Sequence, residues 1–168
     1  MKPYKIDRLL SFFLLLLLAG QILLVLAVAG DLEPRKPSRQ DKCPVCGMFV
    51  HKYPDWTAEI IFRDGATVFF DGAKDLFKFY FALHQYRPQA APADIAGVYV
   101  TEYYDLKWIQ AKDAFFVIGS DVYGPMGKEL IPFASRSDAE AFMKDHKARR
   151  VLKFENVTAT IIDRLDGK

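Results

Sequence analysis

The chain has 168 residues, 51% of them apolar and 26% charged, which is the composition of one globular domain and not of a disordered chain. Net charge is +2, and residues 1–29 carry Lys2, Lys5 and Arg8 against Asp7; taking these from the 23 basic and 21 acidic residues leaves 20 of each. A neutral body argues against nucleic-acid binding, which needs a basic face, and two Cys exclude a multi-disulfide scaffold or an all-Cys zinc or iron–sulfur site.

Leu9 to Ala29 is an apolar run of 21 residues, interrupted only by Ser11, Gly20 and Gln21. As a helix it spans roughly 30 Å, the thickness of a bilayer core. The basic residues before it place the N-terminus in the cytoplasm and the body outside. Ala27-Val28-Ala29 has the small-x-small form of a cleavage site, so residues 1–30 read as either a membrane anchor or a signal peptide. No Cys ends the run, which excludes a lipoprotein anchor. Asp31 to Lys42 holds seven charges and two Pro and reads as a polar tether.

Residues 43–162 form the body. Thr57–Phe62 reads as a strand, Arg63-Asp64-Gly65-Ala66 as a hairpin turn and Thr67–Phe70 as the return strand. Asp71 then suits the cap of a helix whose apolar face is Leu76, Phe77, Tyr80, Phe81 and His84. Arg87–Ala93 reads as a linker between halves at 43–93 and 94–162. Val98–Thr101, Trp108–Gln110 and Ala114–Ile118 read as strands, Gly119–Gly127 as a Gly-rich loop and Leu130–Phe133 as a short strand. Ser137-Asp-Ala-Glu140 has the form of a capping box opening a helix to about Lys147. Val151–Phe154 and Val157–Ile162 read as further strands. The resulting fold is α+β, built from two small strand–helix units.

Cys43-Pro-Val-Cys46-Gly47-Met48 is the sharpest chemical feature. Two thiols three positions apart can grip one soft ion, and Met48 adds a thioether. Thiolate with thioether is the ligand set that selects Cu(I) over harder divalent ions. His51 can supply an imidazole. Met126 stands in the polar loop Gly119–Gly127, and the two loops together could close a three-sulfur site of Cys46, Met48 and Met126, with Cys43 beside it. Other readings stand next to this one. The pair can be half of a zinc knuckle completed by His51, His84 or His146, making the chain a tethered interaction module. It can also be the redox pair of a thiol–disulfide oxidoreductase. Gly119-x4-Gly124 imitates a phosphate loop, but Pro125 stands where Lys must be. No esterase elbow or zinc-protease motif is present.

Taken together, these residues resemble the NosL family, accessory proteins of nitrous oxide reductase. The matching stretches are Cys46-Gly-Met48, Phe69-Phe-Asp71 before Asp75-Leu-Phe77, Ala114 to Ser120, Pro125-Met-Gly127, Ala139 to Phe142, and Val151 to Phe154. The resemblance implies two tandem ββαβ units. It also implies a Cu(I)-binding metallochaperone, exported and membrane-attached, that is not an enzyme. Such a protein takes copper from a donor and delivers it to nitrous oxide reductase or its assembly complex. Cys46, Met48 and Met126 are the ligands carried over by motif. Two departures stand out: many members look like lipoproteins and this chain has no lipidation Cys, and Cys46 here has a partner in Cys43.

Overall fold

The computed structural model describes residues 33–167. The apolar run Leu9–Ala29 lies outside them; among the described residues no helix is long and apolar enough to cross a membrane.

The body is α+β, with seven strands in two antiparallel sheets. The first hairpin, β1 (Ala58–Phe62) and β2 (Thr67–Phe70), turns at Asp64-Gly65, as the sequence suggests. Helix α1 (Ala73–Phe81) follows, then a short α2 (Leu83–Tyr86), and the chain returns in β3 (Ile95–Thr101) beside β1, with β4 (Trp108–Gln110) at the edge. The sheet order is β2-β1-β3-β4. The second sheet repeats the plan. Hairpin β5 (Phe115–Gly124) and β6 (Gly127–Phe133) leads into α3 (Arg136–Asp145) and back in β7 (Arg150–Lys153), in the order β6-β5-β7. In both, the strand after the helix pairs antiparallel with the first strand of the hairpin. A last helix, α4 (Ala159–Leu165), closes the chain.

Helix α1 joins the two sheets: it packs against β1, β2, β6 and α4. Six of its nine residues are buried, among them Leu76, Phe77 and Phe79. The Phe77 ring meets Phe116 at 5.3 Å and Phe154 at 5.0 Å, tying the helix to the second sheet. Its N-terminus is capped by a residue from the other sheet and not by its own side chains. Glu129 of β6 is fully buried, and its Oε1 accepts the Lys74 N–H at 2.6 Å and the Leu130 N–H at 2.9 Å. A carboxyl oxygen there meets the orphan donors at the start of the helix. The approach explains Gly72: a Cβ would lie 2.4 Å from Glu129 Oε2.

Five readings of the sequence are corrected. Asp71 does not cap α1; the N-cap is Gly72, with no side-chain cap bond, and His84 is exposed rather than packed. Gly119–Gly127 is not a loop: β5 and β6 continue through it, with an irregular register between Ile118 and Tyr123, and only Pro125-Met126 form the turn. The capping box is shifted: Ser135, not Ser137, caps α3 by accepting the Asp138 N–H at 3.1 Å. Val157–Ile162 is not a strand. Thr158 caps α4, and Ile161, Ile162 and Leu165 are spaced to line one helix face. Asp166 at its end pairs with Lys74 (3.1 Å) and Lys78 (2.7 Å) of α1. Of the segment read as a tether, Arg35 is already fastened to the body. Its N–H donates to Glu59 Oε2 at 2.8 Å, and its guanidinium donates to Thr67 Oγ1.

Candidate metal centre

The loop Cys43–Met48 is closed by its own backbone. Cys43 N–H donates to Met48 O at 2.9 Å and Gly47 N–H to Cys43 O at 2.8 Å, while Lys42 and Phe49 form an antiparallel bridge across its base. Gly47 sits at φ +79°, a conformation that penalises a side chain, so the tight turn between Cys46 and Met48 requires glycine. Within the turn the backbone N–H groups of Cys46 and Met48 are directed at the sulfurs of Cys43 and Cys46 respectively. This wraps amide donors around two adjacent sulfurs.

Each thiol also donates to a carboxylate: Cys43 Sγ to Asp75 Oδ2 at 3.4 Å and Cys46 Sγ to Asp71 Oδ1 at 3.2 Å. Asp71 directly follows β2 and Asp75 is in the first turn of α1, so one strand–helix junction delivers both. The four ligand atoms, two sulfurs and two carboxylate oxygens, all lie within 4.8 Å of one another. Cys43, Asp71 and Asp75 are buried and Cys46 is half-buried, so the cluster opens to solvent on the Cys46 side.

Burial pushes the Cys43 thiol far above its ordinary range, the nearby carboxylates adding to the effect against the opposing Cys46 N–H. Burial likewise pushes Cys46 up to about 12; the Met48 N–H opposes this and Asp71 reinforces it. Both sulfurs are therefore protonated at neutral pH, and a metal that binds them as thiolates must displace protons.

The two thioethers are held by different elements. Met48 Sδ accepts the Tyr53 hydroxyl at 3.6 Å, which holds it in the cysteine loop. Met126 is 41% exposed at the tip of the β5–β6 hairpin. Its carbonyl accepts Lys74 Nζ at 2.7 Å, pinning the tip to the residue before Asp75. The helix that presents Asp75 to Cys43 thus also holds the Met126 turn. His51 is elsewhere: it lines a separate cavity with Thr57, Thr101 and Trp108. His84 is exposed, and His146 Nδ1 lies 2.8 Å from Asp121 Oδ1, so no histidine joins the thiols among the described residues.

Asp71 and Asp75 are the site residues that sequence reasoning missed. Their signal was present: two acidic residues four apart bracket the junction between a strand and a helix. Asp71 was spent on a cap that Glu129 provides.

The NosL family profile matches residues 34–162. A copper-binding lipoprotein NosL of Stutzerimonas stutzeri is 29% identical over 143 residues, covering 80% of this chain and 71% of the relative. That of Achromobacter cycloclastes is 28% identical over 141 residues, covering 80% and 72%. Among solved structures, the copper chaperone NosL from Shewanella denitrificans superposes with a TM-score of 0.64 at 25% identity, over 76% of this chain and 97% of that one. With the matched region running through both sheets and the cysteine loop, the chain belongs to the NosL family.

Proposed function

We propose that this chain is a copper chaperone that holds Cu(I) between the cysteine loop and the hairpin tip. Cys46, Met48 and Met126 are its ligands and Cys43 a second thiolate. The observation that carries this reading is the convergence on α1: Asp75 binds the Cys43 thiol, and the adjacent Lys74 holds the Met126 turn. Soft sulfur donors on two loops suit Cu(I). The names of the relatives, copper-binding and copper chaperone, support the same metal and role.

The residues divide the work of capture and release. Cys46 is the more accessible thiol and receives the ion first; Cys43 lies beneath it. Asp71 and Asp75 already accept the two S–H hydrogen bonds and lie on the path by which those protons leave to water as the sulfurs bind metal. Met126 on an exposed turn is the ligand most easily exchanged for one of an acceptor protein. The chain carries out ligand exchange and not covalent chemistry, so it is no enzyme. Its acceptor is nitrous oxide reductase or the complex that assembles it. The apolar run Leu9–Ala29 places the body on the extracytoplasmic side of the cell envelope, anchored there or exported.

Anaerobic competition titration of the reduced full-length protein against a Cu(I) chelator tests the reading. One Cu(I) per chain is expected, lost in Cys46→Ser and weakened in Met126→Leu. Unchanged affinity in Met126→Leu would remove the hairpin tip from the site.

A further inference from the structure

A cavity of about 380 Å³ lies between the second sheet and α4. Half-buried Ile118 and Leu165 give it an apolar wall, and exposed Lys128, Arg149, Arg150 and Arg164 line it with positive charge; no acidic residue lines it. Among the described residues none of these four cations is in an ion pair. Acidic neighbours in the sequence are engaged elsewhere: Asp166 with Lys74 and Lys78, Asp121 with His146, while Asp163 lines another cavity. Uncompensated like charges around one cavity repel, and an anionic ligand relieves the repulsion. Arg149 is built into the wall. Its N–H donates to Ile118 O at 2.9 Å, and its side chain crosses Gly119 so closely that a Cβ there would lie 2.8 Å from Arg149 Cγ. The cavity adjoins the hairpin tip that presents Met126. Lys128 is the cross-strand partner of Tyr123, so both side chains stand on one face of the hairpin. Tyr123 is 63% exposed. Leu165 precedes Asp166, which shares Lys74 with the Met126 carbonyl. Exposed Tyr and Met beside Arg is the composition of a surface where proteins dock. A lipid headgroup or a free phosphate would leave Tyr123 unused.

We propose that this cavity, with Tyr123, docks an acidic segment of the protein that takes copper from the Met126 tip. The proposal rests on the reading of Met126 as a copper ligand and adds the chemistry of the acceptor. Carboxylates of the segment seat among the guanidinium groups, which pair with carboxylate bidentately. An apolar residue between them covers Ile118 and Leu165. Docking there holds the acceptor's own ligands beside the exposed thioether and raises their effective concentration at the point of exchange. Because the cations are exposed, their field steers encounter more than it tightens the complex. It therefore sets the rate of transfer and fades with salt.

The test uses reduced full-length protein and, as probe, a fluorescein-labelled peptide in which Asp and Glu alternate with Leu, beside its Asn and Gln counterpart. By anisotropy on the apo protein at about 10 mM salt, the acidic peptide should bind about tenfold tighter than the counterpart, and the difference should shrink to about threefold or less at about 1 M salt. Arg149→Gln with Arg164→Gln should remove most of that difference. Lys112→Gln with Lys144→Gln, which neutralises exposed lysines that do not line the cavity, should keep it within about twofold. From Cu(I)-loaded wild type, transfer to a Cys- and Met-containing acceptor peptide should be about tenfold faster with the acidic tail than with the amide tail. In the Arg double variant the two tails should give equal rates, while Cu(I) affinity stays within about threefold, which shows that fold and thiols are intact. The proposal is overturned if acidic and amide peptides bind alike, if transfer from wild type ignores the tail, or if the Arg and Lys double variants lose binding in equal measure. Displacement of the peptide by glycerol phosphate or inorganic phosphate at micromolar concentration would also overturn it, making the cavity a headgroup or small-anion site. Failure of wild type to bind Cu(I) would instead refute the chaperone reading, with docking still read on the apo protein.

Discussion

Glu129 links the stability of the fold to pH through the cap that it places on α1. Burial pushes its carboxyl up to about 8, with Asp75 adding to this, while the Leu130 and Lys74 N–H groups and the Lys74 charge pull it down. In the unfolded chain it titrates at its ordinary 4.5. Between these values the folded protein binds a proton that the unfolded chain has released, so stability falls as pH rises. The contribution is fully present below pH 4.5 and is lost as pH passes through about 8. The span corresponds to on the order of 5 kcal/mol. Glu129→Gln keeps the Oε1 acceptor for both N–H groups and has no proton to lose. Urea unfolding of the two apo proteins at intervals from pH 4 to pH 9 should give similar stabilities at the acid end. At the alkaline end the Gln variant should be the more stable by a few kcal/mol. Glu59, which burial raises to about 6, titrates alike in both, so the difference between the curves isolates Glu129. Parallel curves across the whole range would refute the reasoning.

Met48→Leu and Met126→Leu should each weaken Cu(I) while costing less than about 1.5 kcal/mol of stability, read by competition titration and urea melts of the same samples. Cys46→Ser should abolish tight Cu(I) binding, whereas Cys43→Ser should retain measurable binding; equal loss in the two would mean an obligatory thiolate pair. Because both thiols are protonated at neutral pH, the apparent Cu(I) affinity of wild type should climb about a hundredfold per pH unit between pH 6 and 8, two protons being displaced. The slope should fall to about tenfold in Cys43→Ser. Oxidation to a Cys43–Cys46 disulfide should remove Cu(I) binding, and reduction should restore it, followed by thiol counting on the titrated protein.

Much of this was legible in the sequence because the information was local. Short apolar runs on either side of Asp64-Gly65 specify the first hairpin, and Cys-x-x-Cys-Gly-Met specifies a turn that needs glycine at position 47. What was not legible depended on distant partners. The cap of α1 comes from Glu129, 55 residues beyond the Lys74 N–H that it accepts. The carboxylates of the metal cluster meet thiols 25 and 32 residues away, across a contact that no sequence window contains. Val157–Ile162 misled because β-branched residues favour strands, yet β5 is already paired on both sides and Thr158 offers a cap. The loop of residues 119–127 misled because its three Gly and one Pro suggest irregular chain. The strands run on through it and use Pro125-Met126 alone to turn, which is what places the thioether at a tip.

The claim on which the rest depends is that Cu(I) sits among sulfurs contributed by both the cysteine loop and the hairpin tip. X-ray absorption at the copper edge of the Cu(I)-loaded, reduced full-length protein tests it most directly, with Met126→Leu alongside. The account expects a shell of sulfur alone in wild type, reduced by one sulfur in Met126→Leu. A nitrogen-containing shell in wild type, or an identical shell in the two proteins, would contradict it.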